Sequence, residues 1–519
     1  MGRAANGGKV ASAIAKRLGV RGGIALAVFV GAFVRLVDIG RQSYSMDELW
    51  EFTIVRLPAG EIVSVGDGFP PLFHLIFRAL YVGGFGDFSG RLLSAHFGVG
   101  AIWLTSRLGK RIGPAVGVTA ALAVAVAPLL VLLSKEARAY GLFVLLAALL
   151  LLATWDAIDT GTARSWAAFA TVAALGMYSH YMFALALASA EVVILRSLWR
   201  DWAALRRWAV THAGLAVLLL PLATIAVADF ELDAANDYSR TVDVAAIGYA
   251  GISLFTGFTL GPSTRALHTM DAVTAIRDSL PWIILIGAPA IFLLYRGWQG
   301  LNPNWRIRLG IPLIMPLALL TLLSASVGVA FRVRYLAWLV IPLALWLSVG
   351  YLHGTDRLRH VAAATLLGLG AIAMVTRAVG DDYVVEDARA AAEFVAGYPD
   401  TPAVAMTWYM TKPIEYYLGE ASATVLPEDE GSKRFQYHEQ LENRIVPIPS
   451  LRPVDPTYSE QAEVFEAAVD IGERYFFIQS REFHADPEGE YFAIRSAADE
   501  LSPIARFPGI TIYEGSRGG

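Results

Sequence analysis

The sequence contains no cysteine, which excludes disulfides, thiol nucleophiles and cysteine-ligated metals. Charge is scarce as well. Only 17% of the 519 residues are Asp, Glu, Lys or Arg, against roughly a quarter in soluble domains. With 55% hydrophobic residues and a mean hydropathy of +0.50, the chain reads as a polytopic membrane protein. The net charge of −4 is too small to imply a nucleic-acid partner. Heptads, solenoid periods and low-complexity tracts are missing. So are the two similar halves expected of a secondary transporter.

What is present is a series of apolar runs. A span takes about 20 mostly apolar residues, fewer where flanking groups snorkel. Candidates are Gly22–Val37, Arg91–Arg107, Pro114–Leu133, Gly141–Trp155, Trp166–Tyr178, Tyr181–Leu198, Trp208–Ala228, Leu280–Tyr295, Leu309–Ala330, Tyr335–Leu352 and Val361–Val375. Basic residues Arg3, Lys9, Lys16, Arg17 and Arg21 precede the first run without a small-residue cleavage site, so an uncleaved first span starting in the cytoplasm is expected. The run Pro70–Val82 is short and holds His74 and Arg78. Taken as an interfacial helix on the outer surface, it lets every later basic loop fall inside: Arg107/Lys110/Arg111, Arg164, Arg196/Arg200/Arg206/Arg207, Arg296/Arg306/Arg308 and Arg357/Arg359. Val244–Leu260 reads as a second interfacial or re-entrant segment.

The expected fold is therefore mainly α, with about eleven transmembrane helices and thirteen as the upper bound. Residues 1–380 form the membrane module, with an external loop at 38–90. Composition changes at Asp381, and 381–519 read as a soluble, extracytoplasmic α/β domain. A helical pattern at Val385–Ala396, strand-like runs at Ala403–Thr407, Tyr475–Ile478 and Ile510–Tyr513, and a Pro-rich linker around Val446–Pro456 support this. Trp408, Tyr409, Tyr416 and Tyr417 suit either packing of that domain or stacking on an acceptor sugar.

Ionisable residues are costly at membrane depth and tend to mark function. Here they gather on the expected outer side: Asp47 and Glu48 in SYSMDELWE, Lys135, Glu136, Arg138 and Tyr140 in SKEARAY, His180 and Tyr181 in YSHY, Arg332 and Arg334 in FRVRY, and Arg91. Each has a plain reading alone, as a headgroup anchor, a structural histidine or a solvated acid. Together they supply a carboxylate base and cations for a phosphate, the inventory for moving a group off an anionic lipid.

These stretches resemble the multi-span glycosyltransferases of the GT-C fold, and within them the family-39 and RgtA/B/C/D-like branch. That branch includes protein O-mannosyltransferases and the aminoarabinose transferase of lipid A. The motifs, in order, are Asp47-Glu48, Pro70-Pro71-Leu72-Phe73, Arg91–Ser94, Glu136–Tyr140 and Tyr178–Tyr181. Beyond residue 200 the likeness is architectural, apart from Arg332–Tyr335. The chain departs from the oligosaccharyltransferase branch, which carries an Asp-x-Asp second motif and a Trp-Trp-Asp tail motif. Glu136 instead stands between Lys135 and Arg138, a poor setting for Mg²⁺ or Mn²⁺, so no cofactor or metal is expected.

The resemblance implies a multi-pass enzyme of the cell membrane. It would transfer a sugar from a polyprenyl- or dolichyl-phosphate donor to a hydroxyl of a glycan, lipid or protein, inverting the anomeric centre. Asp47 would be the base and Glu48 its partner. Arg138, Arg332, Arg334, Lys135 and His180 would hold the donor phosphate. Glu136, Tyr140, Tyr181, Pro70, His74 and Arg91 would line the substrate site. A lipid-linked-sugar flippase, a transporter or an inactive relative is the alternative.

Overall fold

The computed structural model describes residues 6–64, 69–234, 244–262, 272–379, 386–405, 408–419, 445–447, 469–480 and 490–517. The chain divides into two compact units. One holds Met1–Ile39, Leu57–Gly261 and Leu280–Met374; the other holds Gly40–Arg56, Pro262–Ser279 and Val375–Gly519.

The helices run in chain order as α1 (Asn6–Leu36), α2 (Met46–Arg56), α3 (Ala59–Ser64), α4 (Leu72–Leu80), α5 (Phe88–Ile112), α6 (Pro114–Ala125), α7 (Pro128–Leu133), α8 (Tyr140–Thr160), α9 (Ala163–Ser179) and α10 (Phe183–Leu198). They continue as α11 (Trp202–Ala234), α12 (Val244–Thr256), α13 (Ala272–Gly300), α14 (Pro303–Val327), a 3₁₀ turn (Val333–Leu339), α15 (Val340–Leu352) and α16 (Leu358–Val379). Among the described residues, seven segments are long and apolar enough to cross a membrane. Eleven spans are reached only by adding elements such as α9 and α10, which have 17 and 16 residues.

One expected span is in fact broken. Pro114–Leu133 divides into α6 and α7, because Pro128 lacks an N–H and occupies the first position of the second helix. The break leaves carbonyls without intrahelical donors, which a lipid environment cannot satisfy. Arg35 of α1 satisfies them. Fully buried, it donates to Ala125 O at 2.8 Å, Val124 O at 3.3 Å and Ser134 Oγ at 3.2 Å. The turn 134–140 then lies on a small-residue stripe of α5. A Cβ at Gly90 would sit 2.6 Å from the Phe77 ring and 2.8 Å from Ala137, and one at Gly98 would collide with Ser134 Oγ. Between them, Ser94 Oγ donates to Arg138 O at 3.1 Å. Close backbone approach through small residues is how membrane helices pack.

The helix ends sort into two sets. At one, Arg111 of α5 pairs with Asp156 and Asp159 of α8, and Arg308 of α14 also holds Asp159. At the other, Tyr140 begins α8, His180 closes α9 and Tyr335 follows α14. Twenty-one residues of α8 separate the two sets, about 30 Å at 1.5 Å per residue.

The second unit is a five-stranded sheet with helices α17 (Ala388–Ala396), α18 (Trp408–Leu418) and α19 (Glu490–Asp499). Its strands are β1 (Ala403–Ala405), β2 (Ile445–Pro447), β3 (Arg474–Gln479), β4 (Ser502–Phe507) and β5 (Ile510–Ser516), in the order β2-β1-β3-β5-β4. β1 runs parallel to β2 and β3, and β5 is antiparallel to β3 and β4. Tyr475 to Ile478 are buried on both faces, as a central strand requires. Ala388, Ala391, Ala392 and Val395 form the helical stripe of α17 that packs on Phe476, Ile478, Ile510 and Ile512. Three corrections follow for the sequence reading: the Pro-rich linker opens with a strand, β2, a further strand, β4, stands where none was expected, and so do two helices, α18 and α19. Val385, Thr407, residues 448–456 and the side chains of Trp408 and Tyr409 lie outside the described residues.

Candidate active site

In the second unit the acid-bearing segment begins at a capped helix. Ser45 N donates to Glu48 Oε2 at 3.1 Å, while Glu48 N donates to Ser45 Oγ at 3.4 Å. This is a capping box, in which a Ser-x-x-Glu pattern satisfies two orphan donors of the helix start. Glu48 is thereby buried, whereas Asp47 is exposed in the first turn of α2. Glu51, one turn on, is fully buried.

The same segment is fastened to α17 and α18. Ser43 Oγ donates to Asp387 Oδ1 at 2.9 Å and accepts from Arg389 N at 3.1 Å. Asp387 is also the N-cap of α17, accepting from Ala390 N at 3.2 Å. Tyr44 N donates to the Tyr417 hydroxyl at 2.9 Å. The Tyr44 ring lies parallel to Tyr417 and edge-on to Phe52 and Tyr416. Arg389 covers Tyr417 and donates to Gly40 O. Tyr416 and Tyr417 therefore pack protein aromatics.

In the first unit, six residues of the sequence-selected stretches converge with two neighbours, Phe69 and Phe143. His180 leaves the last turn of α9 in an extended conformation, and its ring is 4% exposed. Phe69, Tyr140, Phe143 and Tyr335 surround it at centroid distances of 5.3, 5.6, 5.1 and 5.3 Å. Arg138 stacks over Phe69 at 4.6 Å, and Arg334 over Tyr140 at 5.6 Å. Both contacts place a cation over an aromatic face. Burial, then Arg138 and Arg332, push the His180 imidazolium down to about 3, so the ring is neutral at physiological pH.

The other candidates stand elsewhere in this unit. Lys135 Nζ donates to Val37 O at 2.9 Å and Arg91 Nη1 to Ile39 O at 3.0 Å, so both hold the chain leaving α1. Burial lowers the Lys135 ammonium below its ordinary range, against the raising effect of Asp38. Glu136 is half-buried, and its carbonyl accepts from Arg138 N at 2.8 Å, which tightens the turn. His74 is buried on α4, Pro70 is buried just before it, and Tyr181 is half-buried beside His180. Sequence reasoning passed over Arg35, Ser45 and Phe143, and read Phe69 only as the start of a lid over Phe69–Val82. Arg35 carried a readable signal as an ionisable group inside an apolar run.

The fold is that of the GT-C membrane glycosyltransferases. Among solved structures, the oligosaccharyltransferase of Archaeoglobus fulgidus in complex with Zn and sulfate superposes with a TM-score of 0.50 at 14% identity, over 91% of this chain and 69% of that one. ArnT from Cupriavidus metallidurans in the apo state aligns at a TM-score of 0.44 and 14% identity, over 95% of this chain and 98% of that one. Residues 69–226 match the family model described as dolichyl-phosphate-mannose-protein mannosyltransferase. Pro70, Arg91, Glu136–Tyr140 and Tyr178–Tyr181 fall within the matched stretch; Asp47 and Glu48 precede it. No curated protein matches the chain in sequence.

Proposed function

We propose that this protein is an inverting glycosyltransferase that moves a sugar from a polyprenyl- or dolichyl-phosphate donor to an acceptor hydroxyl. The observation that carries this reading is the Arg138–Phe69–His180–Tyr140–Arg334 cluster, which combines cations with buried polar groups and of which all but Arg334 lies inside the stretch that matches a lipid-phosphate-mannose transferase family. In the reaction, the acceptor oxygen forms a bond to the anomeric carbon as the carbon–oxygen bond to phosphate breaks. Asp47 takes the acceptor proton, a role worth a factor of about 10²–10⁴. The bond electrons leave on the lipid phosphate, whose growing charge Arg138, Arg334 and Arg332 offset. Preorganised cations of this kind supply several kcal/mol in a dry site. Glu48 is a positioning residue, because it fixes the helix turn that presents Asp47.

The reaction is metal-independent in this reading, and sugar and acceptor are left open. The basic helix ends face the cytoplasm by the positive-inside rule, so the His180 cluster faces outward from the cell membrane; residues 381–519 are taken as extracytoplasmic in the same reading. α4 supports a role as a gate. It buries Phe73, His74 and Phe77 and continues into a π-helical turn, Tyr81–Phe85, that exposes Val82 and Phe85. The test is purified chain with a labelled polyprenyl-phosphate sugar and a cell-envelope acceptor extract. Release of lipid phosphate with sugar on the acceptor is expected; transbilayer movement of intact donor in vesicles would instead establish a flippase.

A further inference from the structure

We propose that His180 Nε2–H and the Tyr140 hydroxyl are a pair of neutral donors for a phosphate oxygen, an inference that rests on the glycosyltransferase reading above. His180 Nδ1 accepts the Met182 backbone N–H at 3.0 Å, which commits its lone pair. The single proton of the neutral ring therefore sits on Nε2. That atom is buried and has no hydrogen-bond partner among the described residues, and the same holds for the Tyr140 hydroxyl in the adjoining ring. Buried donors are normally satisfied, and each exception calls for a partner that arrives from outside.

A packing role alone does not explain the pair. Phenylalanine would fill both positions in this aromatic box without stranding a polar atom. The charged and titratable groups around the His180 ring are Arg138, Arg332, Arg334, Tyr140 and Tyr335. The three cations favour an anion and disfavour an imidazolium. A neutral donor then adds a directed hydrogen bond without adding charge that must be desolvated. A neutral sugar hydroxyl gains no charge–charge attraction from those cations, whereas a phosphate oxygen gains that attraction and the directed hydrogen bonds together.

The experiment is ¹⁵N-histidine NMR on the full chain in detergent, with His180→Gln locating the His180 signal. Farnesyl phosphate, inorganic phosphate and farnesol are the probes. The expected result is a neutral, Nε2-protonated ring at pH 7 whose proton moves downfield with farnesyl phosphate and not with farnesol. An equal response to inorganic phosphate also supports a phosphate site, with a free anion as its source. In turnover, His180→Phe should raise KM for the lipid-phosphate sugar about ten- to a hundredfold with little change in kcat, and His180→Gln, which keeps an N–H, should recover part of it. An unmoved signal with both phosphates, or an imidazolium at pH 7, overturns the proposal. Sugar transfer with a silent His180 would overturn this inference alone. A phosphate response without transfer would overturn the enzyme reading alone.

Discussion

Ser45 and Glu48 cap each other at the start of α2, the serine hydroxyl accepting from the glutamate N–H and the glutamate carboxylate accepting from the serine N–H. The neighbouring Asp47 is thereby left exposed in the first turn. Two adjacent acids consequently divide their work. Glu48→Gln retains a capping side chain and should keep near-normal melting and turnover. Glu48→Ala should cost about 1 kcal/mol of stability, read as a lower melting temperature.

Arg35 is the residue whose loss should be felt most in the fold. Arg35→Met would strand Ala125 O and remove a donor from Val124 O and Ser134 Oγ at the α6–α7 break. Each buried group left without a partner costs about 1–3 kcal/mol, so a large fall in thermal stability in detergent is expected. Arg35→Lys, which reaches one carbonyl, should fall between.

Asp387 joins the acid-bearing segment to the cap of α17. Asp387→Ala removes both bonds and should cost about 1 kcal/mol. Because Ser43 lies four residues before Asp47, kcat should fall beyond what the stability loss explains. Measuring turnover well below the melting temperature separates the two effects.

His180 makes a pH-dependent contribution whose sign is fixed. Its folded value is about 3 against an ordinary 6.5, so above 6.5 the ring is neutral in both folded and unfolded chains. Between 6.5 and 3 the unfolded chain takes up a proton that the folded chain refuses, and stability falls as pH falls. His180→Phe should flatten that acid-side slope in melting experiments. An unchanged slope would mean that the ring protonates in the folded protein.

The apolar runs made most of the membrane helices legible, and Ala127-Pro128 was a readable break inside one of them. The capping box was equally readable in SMDE, but a pair of acids suggested chemistry before it suggested a helix start. What was hidden depended on distant partners. Ser43 and Asp387 are 344 positions apart, and the neutrality of His180 comes from residues on other elements, Arg138 and Arg332 among them. β2 was hidden for a different reason. Three residues that pair in parallel with β1 carry no alternation, and Pro447 argues against a strand.

The central claim is carboxylate-assisted sugar transfer from a lipid phosphate, and Asp47→Asn tests it most directly. Asp47 is exposed, and the asparagine leaves its shape unchanged, so the variant should fold as the native chain does. With a labelled polyprenyl-phosphate sugar, the transfer rate should drop by about 10²–10⁴ while donor binding stays intact. Transfer at the native rate would contradict the account.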